Sequence, residues 1–347
     1  MTNPNFQQLL NELCQTNGPA LLIVDENLPD APFAALANSN TNIRLLTNRY
    51  DIWQQAQAAG LSTHFNDFDT SIFQIGHFEK IVYRISKEKP VVHHLINSAF
   101  DLLAQGGELI LGGEKNDGIK TYAKKAGSYF QVAPHIEKNG NNYTVYIRKE
   151  SNDFSSKLDD KNYTQLRPTI QIDDTTLFSK PGVFGWEKVD RGSAFLVEHL
   201  PQFLKHLPEN ASLLDLGCGY GYITACAQRY GFSRTVATDN NAAALAACKR
   251  NFEESGINGE VIAGDAGINI EERFNIVLCN PPFHQGFATD GRLTDKFLTT
   301  TKRVLRRSGK ALFVVNSFVP LPQKAEKIFN SVEVVAENRS FKLVVVS

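Results

Sequence analysis

The sequence predicts an α/β protein made of two tandem, doubly wound, mostly parallel sheets, the second closing with an antiparallel hairpin and the first a degenerate copy of it. Three observations predict this. Short apolar strand runs alternate with amphipathic helices through the C-terminal half. A glycine-rich turn sits where the first of those strands meets its helix. The same strand pattern recurs in the N-terminal half at an offset of about 200 residues, the sign of an internal duplication.

In chain order, the C-terminal half opens with Phe195, Leu196, His199 and Leu200 at helical spacing, in a helix that Pro201 should end or kink. Ser212–Leu216 is an apolar strand run, followed by the glycine turn and by helical periodicity over Tyr222–Tyr230. Arg234–Thr238 reads as a second strand, and Ala242–Ser255 as an alanine-rich helix closed by Gly256. Val261–Ala263, Phe274–Cys279 and Lys310–Val315 read as three more strands, with a helix over Thr294–Leu305. Val332–Ala336 and Lys342–Val346 are β-rich and predict the final hairpin.

In the N-terminal half, Ala20–Val24 and Ile43–Thr47 match the first two strands. Phe78–Ile85 parallels Phe274–Pro281, and Asp101–Leu111 parallels Arg303–Phe313. The copies differ where chemistry would sit. After Val24 comes Asp25-Glu26-Asn27-Leu28-Pro29, without a glycine to let a ligand approach the backbone. Arg84-Ile85-Ser86-Lys87 stands where the second half has Asn-Pro-Pro-Phe. The first half is therefore expected to keep the fold without a cofactor site. Glu150–Lys161 is polar and charged. It places a linker at 151–165, a front domain at 1–150 and a catalytic domain at 166–347.

The composition is that of an ordinary soluble protein, and 347 residues suffice for two domains. With 36 Lys+Arg against 37 Asp+Glu, any nucleic-acid contact must come from a local basic face. Cys14, Cys218, Cys226, Cys248 and Cys279 show no metal-type spacing, so reduced thiols in a cytoplasmic protein without a metal are expected. The N-terminus lacks the pattern of a secretion signal, and no apolar run approaches a membrane span.

The first chemical motif is Asp215-Leu-Gly217-Cys-Gly219-Tyr-Gly221, after a strand and before a helix. Its glycines allow a tight turn and close approach of a ligand, the helix N–H groups favour a carboxylate, and Asp215 can pair with an ammonium. A zwitterionic amino-acid moiety suits that combination, whereas Asp215 would repel a pyrophosphate. The alternative is a plain strand-to-helix turn. Asp239, at the end of the second strand, can accept both ribose hydroxyls. Equally, it could cap the following helix, as could Asn240 or Asn241. Asp265 could accept from an adenine amino group while the Ala266 N–H donates to the ring, although Gly-Asp is also a common turn pair.

The decisive motif is Asn280-Pro281-Pro282-Phe283, at the carboxyl end of the fourth strand. Two prolines fix φ and remove two donors, leaving carbonyls as acceptors. Asn280 Oδ1 and the Pro281 carbonyl can take both hydrogens of an exocyclic –NH₂ group. Such an amine is a poor nucleophile; two acceptors favour a pyramidal nitrogen and aim its lone pair at a methyl sulfonium. Phe283 offers a face on which a base can stack, worth about 1–3 kcal/mol. As four isolated residues the motif would be a turn; beside the glycine loop and Asp239 it reads as an acceptor site.

This half resembles the class I methyltransferases, which bind their donor in a Rossmann-like domain, and its Asn-Pro-Pro-Phe is similar to that of the exocyclic-amine subset. Pro181-Gly182-Val183-Phe184 and Val189-Asp190-Arg191-Gly192-Ser193 before the glycine loop, with Asn280-Pro281-Pro282-Phe283-His284-Gln285-Gly286 after it, narrow the resemblance. With the cofactor-lacking front copy, the chain resembles the bacterial small-subunit ribosomal RNA guanine-N2 methyltransferases of the RsmC type. The match runs from about Lys180 to the end. The resemblance implies S-adenosylmethionine as donor, bound by Asp215, Gly217, Gly219, Gly221, Asp239, Asp265, Ala266 and Asn280. It implies N2 of a guanine in 16S ribosomal RNA as acceptor, with Asn280, Pro281 and Phe283 catalytic and the front domain a helper in folding or RNA binding. The expected partner is ribosomal RNA or the small subunit, met by a monomer. Gly185-Trp186 and Arg191 depart from the family pattern at the pocket rim.

Other residues have weaker claims. His284 could touch the base or be a hydrated loop histidine. Phe184 and Trp186 could flank the ligands or pack over the sheet. Lys302, Arg303, Arg306, Arg307 and Lys310 form one basic cluster and Lys115, Lys120, Lys124 and Lys125 another; each could grip phosphates or be a solvated face. The competing functions are large-subunit guanine-N2, adenine-N6 or protein-glutamine methylation, and a ribosome-assembly factor with a relic cofactor fold.

Overall fold

The computed structural model describes residues 4–25, 32–39, 42–282 and 291–347. The chain divides into two compact units, Met1–Gln165 and Leu166–Ser347. In the first unit the strands are β1 (Ala20–Val24), β2 (Ile43–Thr47), β3 (Ser62–Phe65), β4 (Phe78–Arg84), β5 (Leu103–Glu114), β6 (His135–Asn139) and β7 (Asn142–Arg148). Their order across the sheet is β3-β2-β1-β4-β5-β7-β6. In the second unit a hairpin of β8 (Arg167–Ile172) and β9 (Thr175–Ser179) precedes the main sheet. That sheet contains β10 (Ser212–Leu216), β11 (Arg234–Asp239), β12 (Gly259–Ala263), β13 (Phe274–Cys279), β14 (Leu305–Asn316), β15 (Val332–Glu337) and β16 (Phe341–Val346). Its order is β12-β11-β10-β13-β14-β16-β15, the same path as the first sheet.

The central strands are buried along their whole length because helices cover both faces, which explains why β1 and β10 read as continuous apolar runs rather than alternating ones. In the second unit Leu214, Val236, Val277 and Phe313 face a layer containing Phe297, Leu298 and Val304. On the other side, Leu213, Ile276, Leu278 and Leu312 meet Leu196, Leu200, Ile223 and Cys226. The last two strands pair antiparallel, as expected. In each sheet the chain runs outward from the first central strand and returns on its other side, so β1/β4 and β10/β13 are switch points, the usual ligand crevice of such sheets.

The duplication extends to register. Phe78 lies opposite Leu103 as Phe274 lies opposite Leu305, and each is followed by an irregularity at the same place. From that anchor, Leu22, Thr47 and Arg84 hold the positions of Asp215, Asp239 and Asn280. Arg84 is buried and turned to Asp117 (3.4 Å) and Glu114 (4.0 Å). Asp25 is buried and accepts from the Tyr83 hydroxyl at 2.9 Å.

Two expectations change. Residues 151–165 do not form a free linker; they lie along the first unit. Asn97 exchanges two hydrogen bonds with the Leu158 backbone, both 2.9 Å. Tyr163 is fully buried, donates to Asp67 at 2.6 Å and stacks on His94. Burial, with Asp67, Tyr83 and Asp25 nearby, pushes its hydroxyl pKa well up. The polar composition suggested a linker because most of these residues face water, but Leu158 and Tyr163 anchor the segment. Pro201 does not end its helix at once: Arg191–Phe203 continues two residues further, since the N–H it lacks affects only the final turn.

All five cysteines are free thiols, four buried and Cys14 exposed. Among the described residues no helix is long and apolar enough to cross a membrane, and no group of three His, Cys, Asp or Glu forms a metal site.

Candidate active site

The carboxyl ends of β12, β11, β10 and β13, neighbours in the sheet, bring Asp265, Asp239, Asp215 and Asn280 to one edge. Asp215 is the only carboxylate within the β10 run and is wholly buried. Its Oδ2 accepts from the Thr224 hydroxyl (2.6 Å) and N–H (3.2 Å), while its Oδ1 is buried with no hydrogen-bond partner among the described residues. Burial is the main reason its carboxyl pKa is pushed up to about 7, against the opposing effect of the Thr224 bonds. An orphaned buried acceptor of this kind fits an incoming ammonium.

The glycine turn follows at once. Gly217, Gly219 and Gly221 have φ of +84°, +54° and +86°, in the left-handed region that glycine tolerates. The N–H groups of Gly217 and Cys218 both donate to the Thr238 carbonyl, at 2.9 and 3.0 Å, stitching the turn to β11. A Cβ at Gly219 would meet nothing within 4 Å among the described residues; one at Gly221 would lie 2.9 Å from Cys248 Sγ. The three glycines thus have two roles, a bare face for a ligand at Gly219 and close packing at Gly221. Together with the orphaned Asp215 oxygen, this cradle fits the amino-acid end of S-adenosylmethionine.

Asp239 is half-buried. Its Oδ2 accepts from Gly219 N–H and its Oδ1 from Asn241 N–H, both at 2.9 Å. The helix Ala242–Glu254 is capped by Asn241, whose side chain accepts from Ala243 N–H at 2.8 Å, so Asp239 is not the cap. Each Asp239 oxygen retains a lone pair for a hydroxyl. Asp265 carries an ion pair with Lys296 at 2.6 Å. Ala266, beside it, is buried with φ +48°, a costly backbone for a non-glycine residue and one that gathers at ligand sites.

At the tip of β13, Asn280 Nδ2 donates to Asp190 Oδ2 at 2.9 Å and to Ser193 Oγ at 2.8 Å. The same Asp190 oxygen accepts from Ser193 N–H at 2.9 Å and caps the helix Arg191–Phe203. Both hydrogens of the Asn280 amide are therefore engaged on one side. Pro281 is buried and Pro282 exposed. Phe283 and His284, assigned above to stacking and base contact, lie outside the described residues.

Sequence reasoning gave no role to Asp190, Ser193, Thr224 or Asn251. Asp190 and Ser193 have the spacing of a helix cap, a signal that could have found the capping but not the contact with Asn280. Asn251 is buried and bonds the Phe178 backbone (2.6 and 2.9 Å) and the Tyr220 carbonyl (2.7 Å), tying the β8–β9 hairpin to the glycine turn; no local pattern announces it. Phe184 is 63% exposed, whereas Trp186 lies beneath the Arg167 guanidinium. The basic clusters are partly structural. Arg303 donates to the Gly267, Ile268 and Ile270 carbonyls, Lys302 sits over the Phe329 ring and Lys120 over that of Tyr143.

Residues 174–345 match the family described as Methyltransferase small domain, and residues 7–141 that described as Methyltransferase small domain N-terminal. A ribosomal RNA small subunit methyltransferase C from Actinobacillus pleuropneumoniae serotype 5b is 30% identical over 266 residues, 76% of this chain and 78% of the relative. Its counterpart from Shewanella loihica is 28% identical over 99% of this chain and 98% of its own. The solved T. thermophilus 16S rRNA N2 guanine methyltransferase RsmC, in complex with AdoMet and guanosine, superimposes with a TM-score of 0.82 at 22% identity. That match covers 98% of this chain and 91% of the other.

Proposed function

The chain belongs to the ribosomal RNA small subunit methyltransferase C family, and on that premise we propose that it methylates the exocyclic N2 of a guanine in 16S ribosomal RNA, with S-adenosylmethionine as donor. The observation that carries this reading is the Asn280 amide, both of whose hydrogens are held by Asp190 and Ser193 at the tip of β13. Its Oδ1 is thereby left as an acceptor beside the strand whose end carries the glycine turn.

S-adenosylmethionine, when bound, supplies an electrophilic methyl group on a sulfonium. The roles of the chain's own residues follow from their chemistry. Asp215 holds an ammonium, the turn at Gly217, Gly219 and Gly221 admits the amino-acid end, and Asp239 accepts ribose hydroxyls. Asp265 and Ala266 frame the adenine. Asn280 Oδ1 and the Pro281 carbonyl hold the two hydrogens of the guanine amino group, and Phe283 stacks on the base. Orientation of this kind needs no strong general base. A guanine in a paired region must be flipped out, at a cost of a few kcal/mol. Catalysis belongs to the second unit. Leu22, Thr47 and Arg84 at the matching positions leave the first unit without the carboxylates that hold the donor and the amide that holds the acceptor. We assign the protein to the cytoplasm, as a monomer acting on ribosomal RNA or the small subunit without a metal.

The test is transfer of tritiated methyl from the donor to small subunits, naked 16S RNA, large subunits, DNA and a release factor. Label is expected in 16S RNA as N2-methylguanine. Label confined to protein, DNA or the large subunit would reject the assignment. Asn280→Ala should keep donor binding and lower kcat by about 100-fold or more; near-normal turnover would reject the acceptor role.

A further inference from the structure

We propose that Asp190 is a positioning residue for methyl transfer, selecting which end of the Asn280 amide faces the substrate. An asparagine amide can turn over, exchanging its acceptor for its donor with almost no change of shape. Around Asn280 the choice is made chemically. A carboxylate only accepts, so Asp190 Oδ2 at 2.9 Å requires the Asn280 nitrogen, and Ser193 Oγ at 2.8 Å receives the second hydrogen. The oxygen is forced to the other side, where an amino group needs an acceptor.

Asp190 is itself held in place. Its carboxylate caps the helix Arg191–Phe203 through Ser193 N–H, which fixes where it stands. Gly192 permits the close approach: a Cβ there would lie 3.0 Å from Asp190 Oδ2, 3.2 Å from Phe341 Cε1 and 3.5 Å from Asn280 Nδ2. The consequence is specificity for a hydrogen-donating group. With its oxygen outward, Asn280 welcomes –NH₂ and disfavours a keto oxygen; turned over, it would do the reverse. This inference rests on the reading that Asn280 Oδ1 accepts from the guanine amino group.

The experiment compares D190G, S193A and the double variant D190G/N280D. Glycine is tolerated at a helix cap, and in D190G the acceptor that requires the Asn280 nitrogen is gone; the Ser193 hydroxyl can both donate and accept, so it does not fix the amide. We expect kcat to fall by about tenfold, with the donor Kd and the Tm near wild type. In S193A the carboxylate still takes the nitrogen, and kcat should stay within about threefold of wild type; a loss there as large as in D190G overturns the role of Asp190. In D190G/N280D the carboxylate at 280 presents an oxygen whichever way it turns, so it should recover most of the kcat lost in D190G, a rescue that loss of a merely structural contact would not show. Wild-type kcat in D190G overturns the positioning role, as does a folded double variant no better than D190G. If D190G lowers the Tm, the rescue in the double variant decides instead. An active N280A would instead refute the underlying acceptor reading.

Discussion

The Asp239 carboxylate accepts the Gly219 N–H at 2.9 Å, so the end of β11 holds the glycine turn at the end of β10. One side chain thereby shapes the backbone of the turn and presents its remaining lone pairs to the same crevice. Asp239→Ala should raise the donor Kd by about 10–100-fold, the range expected when a charged acceptor of a ligand hydroxyl is lost. Isothermal calorimetry measures it; an unchanged Kd would remove Asp239 from the cofactor site.

Gly219 and Gly221 should respond differently to alanine. At Gly219 the added methyl meets no atom of the described residues within 4 Å. The left-handed backbone then costs about 1–2 kcal/mol, and the main effect is lost donor binding. At Gly221 the methyl presses on Cys248 Sγ at 2.9 Å as well, so Gly221→Ala should unfold at a distinctly lower temperature. Thermal melts beside binding titrations separate the two; equal Tm losses would contradict the division of roles.

Asp215 should make donor binding depend on pH. Its carboxyl is raised to about 7 by burial, so the folded protein keeps a proton that the unfolded chain has released. The protein without donor therefore loses stability as pH rises from about 4, the ordinary carboxyl value, to about 7, and the loss is complete above that. An ammonium prefers the ionised form, so donor affinity should rise about tenfold between pH 6 and 8, as one proton with that pKa requires. Asp215→Asn should bind weakly with a flat profile over this range; the same slope in that variant would assign the proton elsewhere.

Tyr163 anchors the segment that was expected to be a linker. It is fully buried, donates to Asp67 and stacks on His94. Tyr163→Ala should destabilise the protein by about 3–5 kcal/mol and Tyr163→Phe by about 1 kcal/mol, read from urea denaturation. A change within error in the alanine variant would return 151–165 to the status of a free tether.

Much of this architecture was legible in the chain itself. Continuous apolar runs announced the central strands, because burial on both faces removes polar alternation. β3, β6 and the β8–β9 hairpin were not assigned, since their residues are largely exposed, half-exposed or polar and lack a clear period; β7 was missed although Tyr143, Val145 and Ile147 alternate along it and are buried. At the candidate site, the glycines, Asp215, Asp239 and Asn280 were singled out because each sits at or just after the end of a strand run, a position that local pattern marks.

By itself, then, the sequence determined the duplicated doubly wound layout and the chemical groups placed at the carboxyl ends of the second sheet, since hydrophobic period and glycine placement act over a few residues. Only the tertiary structure decided how those groups are turned. The orphaned oxygen of Asp215, the tie from Asp239 to the glycine turn and the orientation of Asn280 depend on partners up to 90 residues away. Hydrogen bonds between strand ends arise from how the sheet is assembled, and no local pattern encodes them.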